Sequence, residues 1–191
     1  MQSAAERMQT LIRDLLTYSR LSTQREVFQP VPLEGLVQGV LGDLEVMIRE
    51  KNAQVRVDSL PLVVGDRLQL HQLFQNLLSN ALKFSQPEVP PHVQVANRPI
   101  SRRDIPGGVL PLHASGEKFW EITVEDNGIG FQDQYADRIF QVFQRLHGKD
   151  RFPGTGIGLA ICKKVVDNHG GALTATGRPG NGATFRVYLP Q

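Results

Sequence analysis

Four short motifs rich in asparagine and glycine follow one another in a fixed order between Gln72 and Thr184. The first is Asn76-Leu-Leu-Ser-Asn80-Ala-Leu-Lys83-Phe84, inside a segment with helical periodicity. The second, Asp126-Asn-Gly128-Ile-Gly130, closes an alternating strand, Trp120-Glu-Ile-Thr-Val-Glu-Asp126. The third, Gly154-Thr155-Gly156-Ile-Gly158-Leu159, opens another helix, and the fourth, Gly182-Ala-Thr184-Phe185, lies in the last strand. A single glycine triplet constrains little. Four motifs in order, each against the right neighbouring element, constrain the chain to one folded body that gathers them.

The periodicities supply the elements. Met8, Leu11, Leu15 and Tyr18 recur at spacings of 3, 4 and 3, with Ile12 and Leu16 widening the stripe, so residues 1–24 form one long helix. Such a stripe needs a partner, as in a helical hairpin or bundle. Pro30 and Pro32 place a linker at 25–31. Helices are expected at 33–51, 67–84 and 156–168, with a short one at 133–143. Strands are expected at 54–58, 62–64, 92–97, 118–126, 172–177 and 183–189. The stretch 98–117, rich in Pro and Gly, reads as a loop or hairpin excursion at the sheet edge. Helices and strands in this mixture imply an α/β (α+β) sandwich, one sheet covered by helices on one face, over residues 32–191.

Bulk properties narrow the function. Twenty-one basic and 19 acidic residues leave a formal charge of +2, too balanced for a nucleic-acid surface. The one cysteine, Cys162, excludes an internal disulfide and any multi-cysteine metal site, and among Ile161, Val165 and Val166 it reads as a small core residue. No apolar run approaches the ~18 residues that cross a bilayer. The expected location is cytoplasmic, with no membrane contact by this segment, whether or not the longer protein is tethered.

The motif residues have chemical uses at these spacings. Asn76, Asn80 and Lys83, 4 and 3 apart, share one side of their helix, opposite Leu70, Phe74, Leu77, Leu78 and Ala81. Two amides and an amine suit a magnesium-loaded polyphosphate, since Mg²⁺ takes few protein ligands and a lysine is a point charge. A solvated polar face is the plain alternative for that helix. Asp126 is an acceptor-only group, the complement of an exocyclic amine such as that of adenine, and an ordinary Asp-Asn-Gly turn is its alternative. Gly154, Gly156 and Gly158 before a helix make a phosphate cradle from backbone N–H groups. A dinucleotide fingerprint fails because the spacing is G-x-G-x-G and no strand precedes it. A Walker loop fails because no Gly-Lys-Ser/Thr occurs. His71, His92, His113 and His169 show no metal spacing, and Asp66 reads as a helix N-cap.

In this order the motifs resemble the catalytic, ATP-binding domain of sensor histidine kinases, with a Bergerat-type fold and a mixed sheet. The resemblance implies ATP and Mg²⁺ as cofactors. It implies that Asn80 holds the metal, that Lys83 meets the phosphates and that Phe84 packs beside adenine. Asp126, Gly128, Gly130, Gly154, Thr155, Gly156, Gly158, Leu159 and Thr184 complete the implied nucleotide site. Phe140-Gln-Val-Phe143-Gln-Arg145-Leu-His147 is similar to the family's F-box, within a mobile lid over 131–154. Arg145 is implied to meet the terminal phosphate, and His147 to face nucleotide or solvent. Relatives that hydrolyse ATP carry a glutamate general base where this chain has Asn76, whose amide cannot take a proton. A kinase is therefore expected over an ATPase, with Asn76, Lys83 and Arg145 as the catalytic set. Met8-Gln-Thr-Leu-Ile-Arg-Asp-Leu-Leu-Thr-Tyr-Ser19 resembles the second helix of the dimerisation hairpin. The first helix, with its phosphoacceptor histidine box, is absent, so the chain reads as part of a longer, homodimeric kinase that is similar to phytochrome-like and hybrid kinases. A response-regulator receiver domain is the implied partner. The alternative is a non-catalytic, nucleotide-gated interaction module.

Overall fold

The structure, a computed structural model, describes residues 4–21, 28–146, 152 and 154–191. Helix α1 (Ala4–Arg20) comes first, then strand β1 (Gln29–Pro32) and helices α2 (Leu33–Asp43) and α3 (Glu45–Glu50). Strands β2 (Gln54–Val57) and β3 (Leu62–Gly65) lead into α4 (Arg67–Lys83). Strands β4 (His92–Ser101) and β5 (Lys118–Asp126) follow, then α5 (Gly158–Asn168), β6 (Ala172–Gly177) and β7 (Ala183–Pro190).

Five strands form a mixed sheet in the order β2-β4-β5-β7-β6, with β2 parallel to β4 and the remaining pairs antiparallel. Alternation decides the faces. Ile122 and Val124 of β5, Val93 and Val95 of β4, and Phe185 and Val187 of β7 join one core with the helices. Helix α4 fills that core with Leu70, Phe74, Leu77 and Leu78, and α5 adds Ile161, Cys162 and Val165. Each such side chain contributes about 1.5–3 kcal/mol by leaving water. The helices cover one face, as the pattern predicts. Cys162 is wholly buried in that core, and burial pushes its thiol up to about 12.

The opposite face is partly covered as well. Residues 98–101, expected in the loop, extend β4 and pair with the start of β5, and residues 102–117 then leave the sheet through a 3-10 turn at Arg102–Asp104 and lay Ile105 on Phe119, Ala172 and Tyr188. The excursion therefore covers a face, whereas the composition pointed only to the sheet edge. His113 reaches as far as the carbonyl of Asp167, at 2.9 Å. Beside it Glu121, buried, accepts from Arg98 at 2.8 Å.

Four other boundaries differ from expectation. The helix expected at 33–51 breaks at Leu44 (φ −97°, ψ 3°), because Gly35, Gly39 and Gly42 weaken it and Leu44 turns into the core. Residues 29–31 of the expected linker belong to β1, which pairs antiparallel with β3; a two-stranded edge tolerates Pro30 and Pro32. The short helix expected at 133–143 is two single 3-10 turns, Asp133–Tyr135 and Arg138–Phe140. There Ile139 is drawn inward, and Phe143 takes a left-handed φ of 65°, which ends any helix. The third glycine-rich helix begins at Gly158 rather than 156. Residues 1–3 and 22–24 of the expected first helix, residues 25–27 of the expected linker, and residues 147–151 (His147 among them) and 153 of the expected lid lie outside the described residues. Among the described residues no helix is long and apolar enough to cross a membrane.

Candidate nucleotide site

The carboxyl-terminal end of α4, the end of β5 and the loop before α5 meet at one cavity of about 210 Å³. Asn80, Lys83, Phe84, Asp126, Gly130, Arg145, Gly154, Thr155, Gly156, Gly158 and Leu159 all line it. Apolar walls come from Ile129, Phe131, Ile139, Leu146, Phe152 and Phe185. A few convergent polar groups in an apolar cleft are what a small-molecule site needs.

Asp126 anchors one end. It is buried where β5 leaves the sheet, and its Oδ1 accepts from the Gly128 N–H at 2.8 Å. Burial raises its carboxyl to about 6, although the N–H groups of Gly128 and Ala183 pull it down. Gly128 contributes space: a Cβ there would come within 2.7 Å of the Asp126 carboxylate and collide with the Phe84 carbonyl. The turn is bolted from outside. Asn127 accepts from the His92 N–H at 2.8 Å and donates to the Pro90 carbonyl at 3.1 Å. Gln86 donates to the carbonyls of Asn127, Gly128 and Gly180, at 2.8, 3.2 and 3.1 Å. Asp126 is thus held at a fixed angle to whatever enters.

Lys83 marks the other end. Its ammonium is 4.7 Å from the centre of the Phe84 ring, which itself lies 5.0 Å from that of Phe152. Burial, and then the Arg145 charge, lower the Lys83 pKa. An anion brought here relieves both causes. A Cβ at Gly154 would come within 2.7 Å of that ammonium, the movable end of a flexible side chain. Arg145 closes the loop, donating to the carbonyls of Gly154 at 2.8 Å and Phe152 at 2.7 Å.

A sequence model described as "Histidine kinase-, DNA gyrase B-, and HSP90-like ATPase" matches residues 65–191, the span that carries all four motifs. The chain belongs to this family. Within it the histidine kinases are its kin. Cyanobacterial phytochrome A of Nostoc sp. is 41% identical over 186 residues, 96% of this chain and 22% of that protein. The structure of full-length ShkA in complex with AMPPNP superposes with a TM-score of 0.72 at 24% identity, covering 97% of this chain and 36% of ShkA. Histidine kinase ThkA in complex with response regulator protein TrrA gives a TM-score of 0.68 at 21% identity, covering 97% of this chain and 48% of that one. The chain spans less than a quarter of the length of the first curated relatives it matches.

Three motif residues lie elsewhere than the motifs suggest. Thr184 is opposite Glu125 and Thr176 in the sheet, and alternation turns it away from the cavity while Ala183 and Phe185 line the wall. Gly128 shapes the Asp126 turn from behind the lining. Asn76 is also outside the lining: it donates to the Gly158 carbonyl at 3.1 Å and accepts from Gln72 at 3.2 Å, so it braces the first turn of α5.

Some contributors carry no sequence signal. Of the apolar walls, Ile129, Leu146 and Phe185 fall within quoted motifs, but no motif marks Phe131, Ile139 or Phe152. Asp14 of α1, the most distant in sequence, lines the cavity and accepts from the Thr155 hydroxyl at 2.5 Å. Asp66 is the α4 N-cap, accepting from the N–H groups of Leu68 and Gln69 at 2.8 and 3.1 Å. His169, buried and held neutral, accepts from the Asp66 N–H at 3.0 Å and contacts the Val165 carbonyl at 2.7 Å. Its ring explains Gly65, where a Cβ would fall 2.6 Å away.

Proposed function

We propose that this chain is the ATP-binding catalytic module of a sensor histidine kinase. It presents Mg²⁺·ATP to a histidine on a dimerisation helix outside these 191 residues. The convergence of Asp126, Asn80, Lys83 and the glycine-rich loop on one cavity carries the reading. Asp126, ionised at neutral pH, accepts from the adenine amine, and Phe84 and the apolar walls hold the ring. Lys83 and the loop's N–H groups take the phosphates.

Among the described residues no cluster of three or more His, Cys, Asp or Glu forms a metal cage. The Asn80 amide is the available hard donor, and it suits Mg²⁺, which draws its remaining ligands from phosphate and water. Bound there, the ion supplies neutralisation of phosphate charge. Arg145 donates to the carbonyls of Phe152 and Gly154 and so brings its charge to the glycine-rich loop. In the transfer, the bond from the γ-phosphorus to the ADP oxygen breaks as a nitrogen–phosphorus bond forms on the acceptor imidazole. Positioning and charge compensation do most of the catalysis.

Asn76 favours a protein acceptor over water. Its amide cannot take a proton, and it is engaged with the Gly158 carbonyl and Gln72. The phosphoryl group then passes to an aspartate on a response-regulator receiver domain, within a homodimer whose hairpin residues 1–24 help to build. The test is incubation with γ-labelled ATP and Mg²⁺, alone and with a histidine-bearing hairpin supplied in trans. Label on the hairpin histidine supports the reading. Rapid release of inorganic phosphate without a labelled hairpin contradicts it and favours an ATPase.

A further inference from the structure

Helix α1 runs along α5 and is fastened to the ATP-binding body at both ends of the contact. At one end Asn168 donates to the Leu21 carbonyl at 2.8 Å and to Gln69 at 3.1 Å. Gln69 in turn donates to the buried Asp66 at 3.1 Å. Tyr18, between the fastenings, and the Leu21 side chain at one of them pack on the main core. At the other end Asp14 reaches into the cavity and takes the Thr155 hydroxyl at 2.5 Å.

Thr155 lies between Gly154 and Gly156, in the loop whose N–H groups face incoming phosphates. Lys83 and Arg145, the cations of the same wall, compensate negative charge there. A carboxylate at that place adds negative charge where a polyphosphate also has to bring it. It also occupies a hydroxyl of the loop.

We propose that the docked α1 is a built-in competitor of the nucleotide's phosphates, with Asp14 as the competing group. This rests on the nucleotide reading of the cavity and adds a regulation to it. Docking of α1 on α5 weakens binding of ATP, and by linkage ATP weakens the docking of α1 by the same factor. The helix is thereby coupled to occupancy of the site without any further domain. The effect grows with phosphate charge, largest for ATP, smaller for ADP and absent for adenosine.

The test is calorimetry on the whole 191-residue chain and its Asp14→Asn variant with Mg²⁺·ATP, Mg²⁺·ADP and adenosine. Asp14→Asn keeps the shape and removes the charge. It is expected to tighten ATP by about three- to tenfold, the scale of one partly screened charge, and ADP by less. Adenosine affinity stays within about twofold. Amide exchange over residues 14–21 of the wild-type chain, slow without ligand, is expected to accelerate with Mg²⁺·ATP and not with adenosine. Unchanged or weaker ATP binding by the variant overturns the proposal, since a weaker affinity makes Asp14 a helper of the metal or phosphates. An equal gain for adenosine overturns it too. A wild-type chain that binds none of the three ligands removes the nucleotide reading itself, a different result from binding that ignores Asp14.

Discussion

The two ends of the cavity are built differently. The Asp126 end, where the proposed function puts adenine, rests on regular structure: Asp126 is the last residue of a central strand paired on both sides, and the turn after it is fixed by Asn127 and Gln86. The end marked by Lys83 adds irregular pieces to α4: the glycine-rich loop before α5, Arg145 and the side of α1. Its ties are a few side-chain bonds, two from Arg145 to the carbonyls of Gly154 and Phe152, one from Asn76 to Gly158 and one from Thr155 to Asp14. The Asp126 end is thus fixed by many bonds, while the Lys83 end hangs on a few.

Asp126→Asn should break the rigid end most severely. It swaps the acceptor facing an amine for a group that also donates, and hydrogen bonds to charged groups are worth about 1.5–3 kcal/mol. The expected loss is roughly 10- to 150-fold in ATP and adenosine affinity alike, measured by calorimetry. Lys83→Ala should split the two ends apart. ATP binding is expected to weaken about tenfold or more while adenosine stays within about twofold, since the ammonium is proposed to meet phosphate and touches the proposed adenine wall only at Phe84.

Acid gives a milder version of the first prediction. The folded-state pKa of Asp126 is raised to about 6 by burial, so lowering the pH through 6 protonates the acceptor. ATP affinity should be flat above neutrality and fall about tenfold by pH 5, a slope that Asp126→Asn removes. Stability through this one group moves the other way. The folded state binds its proton more tightly than the unfolded state, so the cost of the buried charge is relieved between pH 6 and 3.8. The smallest effect belongs to Thr184→Val. With Thr184 on the far side of β7, nucleotide affinity should stay within about twofold; a large loss would return this residue to the site.

The same contrast decides what could be read from the chain. Strand alternation and helix periodicity located the sheet, α4 and α5, and with them Asp126, Asn80 and Lys83. Those elements are specified locally, by residues two to four apart. The fourth motif placed Thr184 in the site because the motif does not say which of two adjacent residues faces inward; the register of β7 against β5 decides that in favour of Ala183 and Phe185. The stretch at 133–143 has helical spacing, yet Ile139 is pulled into the body and Phe143 turns left-handed, so tertiary contact overrides propensity. Asp14 was invisible for a simpler reason. It is 141 residues from Thr155, on a helix whose apolar stripe of Met8, Leu11, Leu15 and Tyr18 speaks only for a partner helix.

The central claim is that this cavity recognises an adenine nucleotide through Asp126. Titration of the 191-residue chain with adenosine and with guanosine, followed by calorimetry, tests it most directly. Saturable heat with adenosine and none with guanosine, whose ring carries a carbonyl where adenine has its amine, is the predicted result. Equal heats for the two nucleosides, or none for adenosine at millimolar concentration, would contradict the account.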